Sequence, residues 1–215
     1  MKTLSLEKIN LISNCEGHYN ILSDQFGPDV YFDSVIPFGL NFNENGFFIG
    51  NEIEACDLLE EPNFEIEATE NDLFTLVISS LDSNYLLGQS NNEVLHYGIS
   101  NIKKIVTNKG HSFTFNRWAN YLPPIPAKGS GLISICVRKA LVKSSPPIHC
   151  PEFIKNHEKG YHRLVATLYK QEKEIDIPEL ESQDSLAERS FSSRNFLIQN
   201  QDTLTPGAFA FSQGW

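Results

Sequence analysis

The residues able to do chemistry fall in two segments and their upstream company. The first segment is Tyr121-Leu-Pro-Pro-Ile-Pro-Ala-Lys-Gly-Ser-Gly131, in which prolines fix the backbone and remove donors while glycines permit positive φ and close approach. A rigid loop of that composition, lined with backbone amides, suits an anion. It also suits a connector across a sheet edge or a polyproline ligand for another protein, and taken alone it favours the connector. The second segment, Tyr161-His162-Arg163-Leu164, leads into an apolar strand ending Tyr169-Lys170-Gln171. Upstream, His96 stands within Glu93-Val-Leu-His-Tyr-Gly-Ile-Ser-Asn101, and Asp82 ends Phe74-Thr-Leu-Val-Ile-Ser-Ser-Leu-Asp82. Two imidazoles facing one cavity could donate to a phosphate and shift their pKa as it binds. A lone strand histidine is more often an ordinary core or surface residue, so this chemistry depends on the fold bringing His96 and His162 together.

Other chemistries find little support. Ser130 lies in a glycine loop without the Gly-x-Ser-x-Gly elbow, and no cysteine is tied to a histidine and a third orienting group, so no nucleophile and no enzymatic activity are expected. Gly129-Ser130-Gly131 lacks a following Lys-Ser or Lys-Thr and is not a P-loop. Cys15, Cys56, Cys136 and Cys150 show no Cys-x-x-Cys spacing, and without a signal peptide they read as scattered, reduced thiols. His149 adjoins Cys150, with His157 and His162 downstream, but adjacent ligands strain a tetrahedral site; neither a metal nor another cofactor is expected.

The elements that must position these residues are short strands. Val30–Phe32, Val35–Phe38, Gly46–Gly50, Phe64–Ile66, Phe74–Ser79, Val94–Ser100 and Leu164–Tyr169 alternate with turns at a spacing that predicts an antiparallel sandwich. Aromatic and β-branched content marks the Phe74 and Leu164 strands as central and covered on both faces. Residues 1–26 carry Leu4, Ile9, Leu11, Ile12, Tyr19, Ile21 and Leu22 at loosely helical spacing with little sign of a deep core face. They read as an N-terminal arm before one domain spanning 27–215. Glu54 to Pro62 reads as connector. Two short helices are expected late, Leu186–Phe191 behind an Asp184-Ser185 cap and Arg194–Gln199 behind Ser192 or Ser193. Thr205-Pro206-Gly207 should then break the chain before a final strand from Phe209 to Trp215.

At 215 residues, 40% hydrophobic and 11% aromatic, the chain can bury one core and hide roughly 70% of its unfolded surface. No run of about 18 apolar residues exists to span a bilayer, and the start has neither a secretory apolar core nor an arginine-rich transit helix. The net charge of -10 is uneven: residues 1–120 hold 6 Lys+Arg against 17 Asp+Glu, and residues 121–215 hold 11 against 10. An acidic front half repels phosphate backbones, which disfavours extensive direct RNA binding.

The order of these segments resembles the phosphatidylethanolamine-binding protein (PEBP) family, in which an Asp-Pro-Asp turn, a Trp-His-His strand, a Gly-Pro-Pro loop and a Gly-x-His-Arg strand surround an anion pocket. The likeness runs from about His18 to Trp215, nearly the whole chain. Ser80-Leu81-Asp82, the Tyr121–Gly131 loop and the Leu186-Ala187 and Thr205-Pro206 segments are similar to a branch of that family found in the mitochondrial large ribosomal subunit. The resemblance implies a mainly β, PEBP-like antiparallel β-sandwich with a few short peripheral helices. It also implies a vestigial anion pocket lined by Asp82, His96, Pro126, Gly129 and His162. Here His96 matches the second histidine of Trp-His-His, His162 the histidine of Gly-x-His-Arg, and Asp82 the second acid of Asp-Pro-Asp. Ser80, Leu81, Val94, Leu95 and Ala127 replace family residues at the ligand wall. Arg163 pairs in the family with an internal acid, a structural role, so an acidic partner is expected here.

What the branch implies about function is a non-catalytic docking domain, a structural constituent of the mitochondrial large ribosomal subunit that contacts mainly other ribosomal proteins. The alternative is a regulatory module binding phosphatidylethanolamine or phosphate head groups. The family continues past the final Trp into a helix and, in this branch, a tail, so the chain is expected to lack terminal segments in which rRNA-facing basic residues belong. The family also passes almost directly from Gly-Ser-Gly to His-Arg, whereas residues 132–160 intervene here. That basic insert is either a surface loop contacting RNA or non-coding sequence retained in the gene model, with the balance toward the second.

Overall fold

A computed structural model describes residues 4–18, 20–42, 45–47, 50–53, 55–82, 93–124, 163–183 and 188–213. Pro126, Gly129, His162, the 132–160 insert and the Asp184-Ser185 cap lie outside them.

Strands β5 (Leu73–Ser80) and β8 (Arg163–Gln171) are rich in β-branched, aromatic and small residues and are buried along almost their whole length. They pair antiparallel at the centre of the larger sheet, from Leu73 opposite Gln171 to Ser80 opposite Leu164. Around them stand β3 (Asn51–Glu52), β6 (Glu93–Thr107), β7 (Gly110–Ala119) and β10 (Leu204–Gln213), in the order β3-β10-β8-β5-β6-β7. A short β9 (Ser190–Phe191) adds to the start of β6. A smaller sheet of β1 (Phe38–Phe42), β2 (Asn45–Phe47) and β4 (Asn63–Ile66) has the order β2-β1-β4.

Because side chains alternate along a strand, β5 and β8 feed two cores. Phe74, Leu76, Ile78 and Leu168 pack with Leu40, Phe42 and Ile66 of the small sheet. Val77, Val165 and Tyr169 meet the opposite layer, in which α2 (Ile21–Phe26) and α3 (Ser193–Gln199) place Ile21, Phe26 and Phe196. Each such apolar side chain stabilises the fold by roughly 1.5–3 kcal/mol relative to exposure. Trp118 of β7 stacks on Phe196 at 5.8 Å between centroids, and Gly98 makes the room: a Cβ there would lie 2.4 Å from the Trp118 ring.

The expected sandwich is observed, with the two strands read as central at its centre. Several local expectations differ. Val30–Phe32 forms no strand, although Val30 and Phe32 pack against the helix-side core. Of Val35–Phe38 only Phe38 enters a strand, because the Val35 and Ile36 amides donate to the Gly207 carbonyl instead. The 1–26 segment is only partly an arm. Helix α1 (Leu6–His18) exposes Leu6 and Leu11, but Ile21 and Phe26 of α2 are fully buried. The Glu54–Pro62 connector contains a 3-10 turn, Ala55–Leu58, that delivers Leu58 and Leu59 to the core.

The Leu186–Phe191 helix is corrected over its last residues: Ser190 and Phe191 are strand, paired with Val94 and Glu93, and Phe191 packs on Trp118 and Phe196. Aromatic packing there overrides helical spacing. The following helix does form, and the Ser192 hydroxyl accepts from the Asn195 amide as its N-cap. Thr205-Pro206-Gly207 does not break the chain; β10 runs through it with an irregularity between Pro206 and Ala208, where a residue without an amide is tolerated. Finally, β6 extends past Ser100 to Thr107 and returns as β7, a hairpin the spacing of apolar runs did not reveal.

Candidate functional site

Three strand ends converge at one end of the large sheet. Ser80 closes β5, opposite Val94 of β6 on one side and Leu164 of β8 on the other, so His96, Asp82 and Arg163 are brought near one another by register alone. His96 is buried, 3% exposed. Its Nδ1 lies 2.9 Å from the Leu122 carbonyl and its Nε2 3.0 Å from the Ser80 hydroxyl. A carbonyl only accepts, so Nδ1 carries the proton, and Nε2 of the neutral ring accepts from Ser80. The Leu122 amide donates back to the His96 carbonyl at 2.7 Å, clamping the entry to the proline run against β6. Burial pushes the His96 pKa down to about 3, with the Arg189 guanidinium adding to the depression.

Asp82 is engaged by Arg163. The Arg163 amide and Nε donate to Oδ2 at 2.8 and 2.9 Å, and Nη2 donates to Oδ1 at 2.7 Å. The remaining Nη1 donates to Asp24 of α2 at 2.6 Å, which ties the helix layer to the strand ends. Hydrogen bonding to Asp82, followed by that to Asp24, raises the Arg163 pKa further above its already high value. Of the five residues read as pocket lining, the described structure thus places Asp82 and His96 at one strand end, with the position of Pro126, Gly129 and His162 outside it.

A second polar cluster lies across the sheet and was not anticipated. Glu93 opens β6 buried, and its carboxyl accepts from the Ser79 hydroxyl at 2.5 Å, the Ser193 amide at 2.7 Å and the Ser193 hydroxyl at 2.7 Å. Gln25 of α2 donates to the Ser193 and Thr167 hydroxyls at 2.9 and 3.2 Å. Burial raises the Glu93 pKa against the lowering by these hydrogen bonds. Nearby, Arg189 is fully buried and donates to the carbonyls of Leu95 and Gln183 at 3.2 and 2.8 Å. Nothing in the spacing of Gln25, Ser79, Glu93 and Ser193 signals that they meet, since Gln25 and Ser193 come from helices 168 residues apart. On the small-sheet side, Glu61 accepts from both the Tyr97 hydroxyl and Arg117.

Chemically, both clusters are closed rather than poised. His96 has no free N–H to offer, Asp82 is held by a guanidinium, and Glu93 is enclosed by its donors. Among the described residues no helix is long and apolar enough to cross a membrane.

No family model matches the sequence. The structure is similar to that of carboxypeptidase Y inhibitor complexed with its cognate proteinase, with a TM-score of 0.66, 18% identity and 97% of both chains covered. It is also similar to the phosphatidylethanolamine-binding proteins of Plasmodium falciparum, at TM-score 0.60 and 16% identity, and of Plasmodium vivax, at 0.60 and 15%. Each of those two likenesses covers 93% of this chain and 95% of the other. The chain therefore has the PEBP fold, and identities this low speak to fold alone.

Proposed function

We propose that this chain is a non-catalytic docking body built on the PEBP fold, and that it serves as a structural constituent of the mitochondrial large ribosomal subunit. The observation that carries the proposal is His96. Its Nδ1–H is given to Leu122 and its Nε2 accepts from Ser80, so the histidine expected to serve an anion has no donor left for one. Asp82 is likewise held by Arg163. Carboxypeptidase Y inhibitor, seen in complex with a proteinase, supports use of this fold as a protein-binding body. The ribosomal assignment rests on the sequence likeness of the Ser80–Asp82 and Tyr121–Gly131 segments to the mitochondrial branch. The partners are then neighbouring mitochondrial ribosomal proteins, and the compartment is the mitochondrion.

Gradient sedimentation of a mitochondrial lysate tests the assignment: tagged protein should travel with the large subunit, and recovery only in the free fractions would overturn it. Titration with millimolar phosphoethanolamine tests the closed pocket. His96 ring resonances should stay in place, whereas their movement would favour the head-group-binding module.

A further inference from the structure

Charge is sorted along this chain. Between Glu93 and Glu152 there is no Asp or Glu, and the β6–β7 hairpin within that stretch holds Lys103, Lys104, Lys109 and Arg117, four of the 6 Lys+Arg in residues 1–120. Arg117 is answered by Glu61 and His111 by Glu65, both from the small-sheet side. Lys103, Lys104 and Lys109 enter no ion pair among the described residues. The register sets Lys103 opposite Thr114, Ile105 opposite Ser112 and Thr107 opposite Gly110. One face of the ribbon therefore carries Lys103, Thr107, Ser112 and Thr114 around Ile105, with Lys109 in the turn, and all of these residues are exposed.

We propose that this hairpin is a contact for the phosphate backbone of RNA. Lysines neutralise phosphates, and the Ser112 and Thr114 hydroxyls in the same row donate to phosphate and sugar oxygens, while the Thr107 hydroxyl is given to the Gly110 carbonyl and shapes the turn. The net charge of -10 does not forbid it. At physiological salt a field fades over about 8 Å, so an exposed ribbon answers first to its own lysines. An anionic membrane is the poorer fit. Ile105 and Val106 are adjacent and so point to opposite faces, and the tip, Thr107-Asn108-Lys109-Gly110, is polar, leaving no single apolar surface to enter a bilayer. An acidic protein partner is also poorly matched, because Ile105 is the one large apolar anchor on that face. The choice of ribosomal RNA as the polyanion rests on the ribosomal reading; affinity of the hairpin for RNA does not.

The test is fluorescence anisotropy of the full chain with a short labelled single-stranded RNA across a salt series. The two lysines of this face and its turn, Lys103 and Lys109, predict a slope of about -1.4 in log K against log salt, since Lys104 points to the other face. K103E/K109E should lose at least about tenfold in affinity and most of that slope, while K173E, at an exposed turn elsewhere, should behave as wild type. Thermal melts establish that each variant is folded, and if the double variant is not, Lys109→Glu in the turn decides, lowering the slope by about 0.7. Wild-type affinity in the lysine variants overturns the proposal, and so does wild-type protein that binds phosphatidylserine vesicles or acidic peptides but not RNA. Gradient sedimentation separates the two readings. RNA binding that depends on these lysines, in a protein found only in free fractions, keeps the hairpin contact and removes the ribosome; co-sedimentation with lysine-independent RNA binding does the reverse.

Discussion

Ser79 and Ser80 are neighbours on β5, yet they serve different clusters on opposite faces of the same sheet. Ser80 turns to the His96 side, where it donates to an imidazole, and Ser79 turns to the helix side, where it donates to Glu93. The first cluster is built from strand ends, β5, β6 and β8, plus the first residues of the proline run. The second joins those strands to α2 and α3 through Gln25 and Ser193. The difference teaches that, among the described residues, the half of this site resembling a ligand pocket is occupied by its own partners: the Leu122 carbonyl and Ser80 hydroxyl on His96, and the Arg163 guanidinium on Asp82. The half that resembles nothing in the sequence holds the helical layer onto the sheet.

The largest expected effect lies on the helix side. Glu93→Ala leaves the Ser79 hydroxyl and the Ser193 amide and hydroxyl without their acceptor and should lower stability by about 4 kcal/mol, read as a shifted urea midpoint at constant slope. A loss below about 1 kcal/mol would mean that this cluster does not hold the layer.

Acid unfolding probes the other side. His96 has a folded pKa of about 3, below its ordinary 6.5, so the unfolded chain takes up the proton first. Its contribution is complete above pH 6.5 and is lost as pH falls toward 3, at about 1.4 kcal/mol per pH unit or about 3 kcal/mol by pH 4. Glu93 has the opposite sign, because a raised carboxyl stabilises below 4.5 and loses that contribution as pH rises past it. Compared with wild type, His96→Asn should show a flatter acid limb, most cleanly below pH 4.5 where Glu93 no longer opposes. Identical limbs in the two proteins would show that His96 titrates normally.

Gly98→Ala sharpens the comparison from the packing side, since the added Cβ would meet the Trp118 ring at 2.4 Å and press it toward Phe196. A loss of about 2 kcal/mol in thermal or urea unfolding is expected. Smallest of the four is Arg163→Lys, which keeps the charge but not the fork on Asp82 and the reach to Asp24. The pair is partly solvated, so about 1 kcal/mol is expected, and a larger effect would mark Asp82–Arg163 as the firmer of the two anchors.

Composition and spacing made a good deal of this legible. Phe74–Ser79 and Leu164–Tyr169 read as central strands because a segment buried on both faces must be apolar at every position, and that run is visible without a partner. Ser192 or Ser193 reads as a cap because capping is local, and the structure selects Ser192. The β7 strand was not legible: His111, Ser112, Thr114 and Asn116 are exposed, and Phe113 and Phe115 are only partly covered, so no apolar run marks it. Phe191 reads as helical from its neighbours, because its packing against Trp118 depends on a strand some seventy residues earlier.

The sequence by itself determined the fold class, the two central strands and the identity of His96, Asp82 and Arg163 as residues of interest, because apolar runs, caps and motif order are properties of neighbouring positions. Only the tertiary structure decided what those residues do. It gave the Arg163 fork to Asp82 and Asp24, turned both His96 nitrogens inward, and assembled Glu93 with Gln25 and Ser193 across 168 residues of chain. Hydrogen-bond partnership depends on register and on which face a side chain takes, and a shift of one position in any of these strands would have exchanged the two serines and with them the two clusters.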